Sequence, residues 1–474
     1  MTRADWFGVV ASLTLLVMMG SEAQAGGFIF PENTTKGVGR GGAYMLGVVG
    51  PEAIFLNPAL LTRLDGFQTT LDFNISDLNL TFKRAGTDPN TGQPYPEIEN
   101  EAPPFVAPML FMSHDFGLKD FGFGLGIYGP SAYGTRRFPT GGPQRYILEK
   151  AELWEIYPSA SVAYQYGGLR LGATFQLAML FADLQLVTYG GIGDPSEESP
   201  DDDARTYLKN LEDIKPTGIL GVAYDFSPSL SVGLSYKLPV KLEGEGQIEL
   251  EFPEGGLFAA TTPTLTDDGV TLKVNEADAL RLSFRYAHIE EDKELFDIEA
   301  QIVREGWGTS DNLLIEPAGQ VRLSFTETSF TEQDLSPIAL PKRWNDVYSI
   351  RLGSDWATTD WLTLRAGGFF ENNTGPNSTT HLDFAAWQRI GGGAGATLHV
   401  SDFDIDLGYM YIHQPDRTVT DGEVYIQAPL ASDNIPDVAT NNGEWSSSFQ
   451  IFSLGLTYRF GGAQTSHTPA ITDL

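Results

Sequence analysis

Trp154-Glu155-Ile156-Tyr157-Pro158-Ser159-Ala160-Ser161-Val162-Ala163-Tyr164-Gln165-Tyr166 sets apolar or aromatic residues on its even positions and Glu155, Ser159 and Ser161 on the other face. A strand through an outer membrane needs this pattern, because side chains alternate between lipid and lumen for roughly ten residues. Its aromatic ends fall where a bilayer interface would lie. A second stretch reads the same way: Trp344, Tyr348, Ile350, Leu352 and Trp356 alternate with Asn345, Ser349 and Arg351. Continuing along the chain gives about fourteen strands, near 68–83, 104–116, 120–135, 150–166, 169–187, 216–226, 230–241, 278–288, 295–304, 343–356, 361–372, 384–400, 403–414 and 447–460. Residues around Gly246 and Thr271 are read as loop, although an extra hairpin fits there. The predicted fold class is all-β, an antiparallel transmembrane barrel over 67–460.

The connections support this reading. Short turns at Gly117–Asp120, Gly167-Gly168, Ser227–Ser229, Ile289–Glu294, Thr358–Asp360 and Ser401-Asp402 alternate strictly with long segments. Membrane barrels sort their connections in this way, short on the periplasmic rim and long outside. A soluble β-sandwich has no reason to do so.

The chain begins Met1-Thr2-Arg3, runs apolar from Trp6 to Met19 and reaches Ala23-Gln24-Ala25, the order of a cleaved secretory signal peptide over 1–25. No later apolar run approaches the roughly 18 residues of a membrane helix, so a spanning chain must be a closed barrel. With 62 acidic against 30 basic residues, a net charge of -32 disfavours nucleic acid. Cysteine is absent, which removes disulfides, thiol catalysis and a lipoprotein anchor. The 52 glycines suit strands packed closely around a lumen.

No catalytic motif emerges. The six histidines, His114, His288, His381, His399, His413 and His467, lie in no G-x-S-x-G or H-E-x-x-H context and share no metal-ligand spacing. No enzyme activity, cofactor or metal is expected. The acids Asp194, Glu197, Glu198 and Asp201–Asp203 lack the spacing of a calcium loop and read as a solvated segment.

Before the first strand lies Gly37-Val38-Gly39-Arg40-Gly41-Gly42-Ala43-Tyr44, followed by Asn57-Pro58-Ala59-Leu60-Leu61. No strand precedes the glycines and no βαβ unit surrounds them, so a dinucleotide site is excluded. The pairing resembles the N-terminal plug of the FadL/TodX family of outer-membrane transporters for long-chain fatty acids and other hydrophobic compounds. Gly124–Pro130, Tyr157–Tyr164 and the hairpin from Trp344 to Arg365 are similar to strands of the same family. The resemblance implies a fourteen-stranded barrel plugged by 26–66, passive uptake of a hydrophobic small molecule, and sideways release into outer-membrane lipid. It also implies a monomer inserted by the barrel-assembly machinery. Plug motif residues are then Gly37, Gly39, Arg40, Asn57, Pro58 and Ala59. Pro130, which cannot donate a ladder hydrogen bond, marks an expected wall opening at Gly129, Pro130 and Gly134. A general porin and a surface receptor or adhesin use the same alternation; an outer-membrane lipid hydrolase is a further alternative from another class.

If the alternation holds, Arg281, Arg285, Arg351 and Arg365 face the lumen with Glu155, Asp404 and Asp406. Arginine offers a planar fork to a fatty-acid carboxylate, or it braces the barrel in a salt-bridge network. Phe28, Ile29, Phe30, Leu46 and Phe55 supply either the apolar part of a ligand site or the packing of the plug. The family ends its last strand at the chain terminus, whereas here 461–474 follow Phe460 as a tail.

Overall fold

The computed structural model describes residues 33–129, 134–190, 200–255, 258–259, 261–309, 312–326, 329–430 and 438–460. The signal sequence, Phe28, Ile29, Phe30, Pro130, Asp194, Glu197, Glu198 and the tail lie outside them. Fourteen strands form the wall: β1 (Phe67–Arg84), β2 (Phe105–His114), β3 (Phe121–Tyr128, resuming at Gly134–Arg137), β4 (Lys150–Tyr166), β5 (Leu169–Tyr189), β6 (Asp203–Ser227) and β7 (Leu230–Lys237). They continue as β8 (Ala279–Glu290), β9 (Lys293–Glu305), β10 (Val347–Thr359), β11 (Leu362–Glu371), β12 (Arg389–Val400), β13 (Phe403–Val419) and β14 (Gly443–Phe460). Each pairs antiparallel with its sequence neighbours, and β14 closes on β1 from Phe67↔Phe460 to Arg84↔Gly443. Closure leaves no sheet edge to face lipid with unpaired backbone groups.

The hairpin turns explain why one rim is short. Between β8 and β9, Glu291 and Asp292 both hold positive φ, at 48° and 62°, as the favoured two-residue hairpin turn requires. Ser401 and Gly167 do the same between β12 and β13 and between β4 and β5.

The barrel is polar inside and apolar outside. Along β1 the buried positions are Gln68, Thr70, Asp72, Asn74 and Ser76, while Leu71, Phe73 and Ile75 are exposed. In water this would be an unstable surface; against acyl chains it is the favoured one.

Above the bilayer the pattern inverts. On β6 the outward residues Ile214, Leu220, Tyr224 and Phe226 give way toward the long-loop rim to Arg205, Lys209 and Glu212. The inward residues there become apolar, with Leu208 and Leu211 fully buried. A register shift in the β5–β6 ladder between Ala182 and Leu184 accompanies the change.

Several sequence-based expectations are corrected. Residues around Gly246 and Thr271 do form a hairpin, with Val240–Glu251 paired to Gly269–Glu276. It extends the wall upward with Asn312–Pro317 and Ile338–Pro341, and Thr262–Leu265, Gln320–Ser324 and Phe330–Asp334 make a separate three-stranded sheet. The strand expected over 343–356 starts at Val347, and Trp344 is buried against Trp307 at 5.2 Å, in an extracellular core and not at a bilayer interface. The strand expected from 384 starts at Arg389, and the one expected from 216 starts at Asp203. These upper segments pack on protein, so lipid-and-lumen alternation did not mark them.

Candidate functional site

Residues 33–66 lie within the barrel, tied to opposite walls. Thr34 caps the short helix α1 (Thr35–Gly39) by accepting from the Gly37 amide at 3.1 Å. Arg40, wholly buried, meets Asp297 at 2.8 Å, Asp355 at 2.9 Å and Glu299 at 3.7 Å, while its Nε donates to the Ala43 carbonyl. Glu299 also accepts the Leu46 and Gly47 amides, both at 2.8 Å. Lys36 pairs with Asp406 at 3.2 Å and Arg63 with Asp225 at 2.6 Å. Gly41 has φ of +62°, and a Cβ there would lie 2.3 Å from the Gly368 nitrogen. A Cβ on wall residue Gly367 would lie 1.9 Å from the Arg40 carbonyl. Glycine at both positions is a condition of this approach.

The second motif works differently. Asn57 accepts from the Ala59 amide at 3.2 Å and starts the turn Pro58–Arg63, with proline at the first position, where no amide is missed. Its Nδ2 donates to the carbonyls of Val222 and Leu234 on β6 and β7, at 3.1 and 3.4 Å. Ala59 then passes so close to Gly172 that a Cβ on the glycine would lie 2.3 Å from its nitrogen.

Above this segment the lumen has an aromatic side and a polar side. Phe55, on the short helix α2 (Ala53–Leu56), packs against Tyr128 at 5.1 Å, and Tyr128 against Phe111 at 5.4 Å and Tyr157 at 5.9 Å. Opposite strand neighbours Ser283 and Gln301 are buried, and neither side chain has a hydrogen-bond partner among the described residues. Arg281 bridges the two sides, its guanidinium 5.9 Å from the Phe55 ring centre.

Higher still, at the long-loop rim, is a small cavity, open in part to solvent. Ala151, Leu153, Leu184, Leu272, Val274, Leu313 and Phe384 make it apolar; Arg136 and Asp383 are its charged members. Gly134 also lines it. That glycine is where β3 resumes: the β3–β4 ladder stops at Tyr128↔Tyr157 and restarts at Gly134↔Leu153 among the described residues. Phe105 of β2 lies over Gly134, its ring 4.9 Å from Trp154. Gly129 accepts from Asn33 Nδ2 at 2.9 Å, bringing the start of the described chain to the same place.

The model of the family described as "Outer membrane protein transport protein (OMPP1/FadL/TodX)" matches residues 16–460. The chain belongs to the FadL/TodX family. FadL/TodX members of known structure share its fold. A FadL homologue of Pseudomonas aeruginosa is 17% identical with a TM-score of 0.72, covering 92% of this chain and all of that one. The Pseudomonas putida toluene transporter TodX is 16% identical with a TM-score of 0.62, covering 88% and 95%. The Ralstonia pickettii toluene transporter TbuX is 14% identical with a TM-score of 0.59, covering 91% and 99%. No curated protein matches the sequence.

Within this FadL/TodX barrel the four inward arginines divide. Arg285 is held by Glu294 and, at 2.6 Å, by Asp297; Arg365 meets Asp355 at 3.4 Å, Asp406 at 3.8 Å and Thr397 at 2.5 Å. Both belong to the charged layer around the N-terminal segment. Arg281 and Arg351 stand higher, the latter bonded to Ser349 at 3.0 Å and still reaching the Gly42 carbonyl of the N-terminal segment at 3.5 Å. Glu155 is buried on β4 beside the β3 interruption, and Asp404 and Asp406 are buried at the base, Asp404 with His399 and Arg459. Asp203, from the acidic stretch, is engaged by Arg145 and Tyr146. Sequence reasoning missed Phe111, Tyr128, Tyr157, Ser283, Gln301 and every cavity residue except Gly134. Alternation placed the strand residues among them on inner faces, but not at one height, whereas Leu272, Val274, Leu313 and Asp383 fall in stretches read as loops.

Proposed function

We propose that this chain takes up long-chain fatty acids or related hydrophobic compounds passively, through a barrel plugged by residues 26–66, and releases them sideways into the membrane. A signal peptide over 1–25 would be removed on export, leaving the barrel over 67–460 and the tail 461–474. The observation that carries the reading is that the apolar cavity and the interruption of β3 share Gly134. An apolar molecule gains roughly 25 cal/mol per Å² on leaving water, so an apolar mouth collects it. The polar and charged layers below oppose its further descent. Tyr128 and Trp154 border the break in the wall, and beyond the wall is lipid. Arg281, near Ser283 and Gln301, supports a ligand with a polar head over a pure hydrocarbon; the toluene transporters among the solved structures handle the uncharged kind.

A photoactivatable fatty acid tests the route. Labelling at Gly129 and Gly134 together with the cavity residues is expected, and labelling confined to the opposite wall overturns sideways release. Planar-bilayer conductance separates this reading from a porin: a large steady open channel argues for the porin. Uptake of fatty acids and aromatic hydrocarbons by a strain lacking its own transporter resolves the substrate.

A further inference from the structure

Beside the cavity, three ionisable groups are buried together. Lys342 Nζ reaches both oxygens of Asp383, at 2.8 and 2.6 Å, and His381 Nδ1 lies 2.7 Å from Asp383 Oδ1. All three side chains are nearly inaccessible, at 1%, 4% and 1% exposure for Lys342, Asp383 and His381. Lys342 follows the strand Ile338–Pro341, whereas His381 and Asp383 belong to the connection between β11 and β12. The cluster therefore joins two extracellular segments, and Thr379 reinforces the joint by donating to the Lys342 carbonyl at 2.8 Å. Asp383 and Phe384 line the cavity, so the joint holds part of its mouth.

We propose that His381, Asp383 and Lys342 form an acid-released latch that holds residues 377–384 over the extracellular cavity and frees them when the medium acidifies. Two contacts compete for Nδ1: the Asp383 backbone nitrogen at 3.3 Å, which would donate to it, and the Asp383 carboxylate at 2.7 Å. We assign the proton to Nδ1 on the shorter contact, which leaves Nε2 as the bare nitrogen. Nε2 is buried and has no hydrogen-bond partner among the described residues. A second proton would put a charged N–H there without an acceptor, which a buried site resists.

The neighbouring charges divide: Asp383 favours a charged ring and Lys342 opposes it. Lys342 and Arg136 are cationic and Asp383 is the one buried anion beside them, so a charged His381 would make three cations against one carboxylate. Farther out, Arg417 donates to Thr380 at 3.0 Å, and Glu423 accepts from Ser378 at 2.9 Å while paired with Arg343. Burial, aided by Lys342 and opposed by Asp383, holds His381 below its ordinary value of 6.5. The sign follows: the latched state is fully stable above that value and loses stability as pH falls through the lower latched one. In between, each pH unit shifts the latched-to-released ratio about tenfold.

The chain has no cysteine, so a nitroxide on Asn377→Cys, the exposed first residue of the otherwise buried turn Asn377–Thr379, reports on the segment alone. In the full-length protein in phospholipid vesicles, the mobile fraction is expected to rise reversibly between about pH 7 and pH 4, across the imidazole range. His381→Gln, which donates to Asp383 but takes no proton, is expected to stay immobile throughout. Asp383→Asn is expected to be mobile at every pH, which keeps the test decisive if the glutamine variant does not fold. A flat curve in the parent, a persisting transition in His381→Gln, or an immobile label in Asp383→Asn overturns the latch. None of these readouts depends on transport.

Discussion

Replacing Arg40 with methionine removes the one cation that Asp297, Asp355 and Glu299 share at the base of the lumen. Breaking a buried pair by deleting one partner costs about 3–5 kcal/mol, because a charge is left uncompensated. Here each carboxylate keeps something. Asp297 retains Arg285 at 2.6 Å, Asp355 retains Arg365 at 3.4 Å, and Glu299 retains two backbone amides. The lower end is therefore expected, about 3 kcal/mol, or about a hundredfold in the equilibrium that seats residues 33–66. The barrel ladders do not involve Arg40, so closure of the wall should persist. Single-channel recording in planar bilayers is the assay: Arg40→Met should show frequent openings where the parent is quiet. Arg322→Met, which removes an exposed pair with Glu332 worth at most about 1 kcal/mol, is the control and should change nothing. If Arg40→Met is as quiet as the parent and as stable to denaturant, the reasoning that this ion cluster seats the segment is refuted.

Gly367→Leu should produce the same openings by a steric route, since even its Cβ would fall 1.9 Å from the Arg40 carbonyl, while gel mobility of the unheated barrel stays that of the folded form. Leu272→Asn puts an amide in the apolar cavity at about 1–2 kcal/mol; fatty-acid affinity measured by quenching should fall about tenfold. Arg281→Met should weaken a fatty acid by about 1.5–3 kcal/mol and leave an uncharged hydrocarbon unaffected, as titration of both ligands would reveal. For Asp383, burial acts to raise its pKa, but His381 and Lys342 prevail and hold the carboxyl well below the usual range. Its contribution is present above the ordinary carboxyl value of about 3.9 and is lost only as pH falls further. The spin label in His381→Gln should accordingly remain immobile down to about pH 4 and loosen below it.

Where a strand has lipid on one side and lumen on the other, its sequence announced it, as Trp154–Tyr166 does. All fourteen strands of the wall were legible for that reason, and so were the positions of the short turns, although the one read as Ile289–Glu294 narrows to Glu291-Asp292. Residues 240–276 were not, because their outward face meets water and their inward face meets protein, so no lipid-facing run of apolar side chains appears. Trp344 shows the same limit: tryptophan suits both a bilayer interface and a core, and only Trp307 beside it decides. The motif residues Arg40 and Asn57 could be singled out by resemblance, but their partners could not. Asp297 lies 257 positions from Arg40, and only the barrel brings them together. The same holds for the latch, in which His381 and Asp383 are near neighbours while Lys342 comes from another connection.

The inversion along β6 makes each tall strand a depth gauge. Ile214 is the last lipid-suited side chain and Glu212 the first water-suited one on its outer face. A vertical slip of two residues, about 7 Å, would drag Glu212 into hydrocarbon, and charged side chains on a lipid face cost up to about 2–4 kcal/mol each at mid-depth. With Lys209–Glu249 and Arg205–Glu251 rungs just above, a deeper slip would submerge several charges at once. The protein therefore floats at one height. Under the proposed sideways release, a ligand passing the wall beside Gly134 would leave at a depth that the amino-acid sequence of the outer face has already chosen.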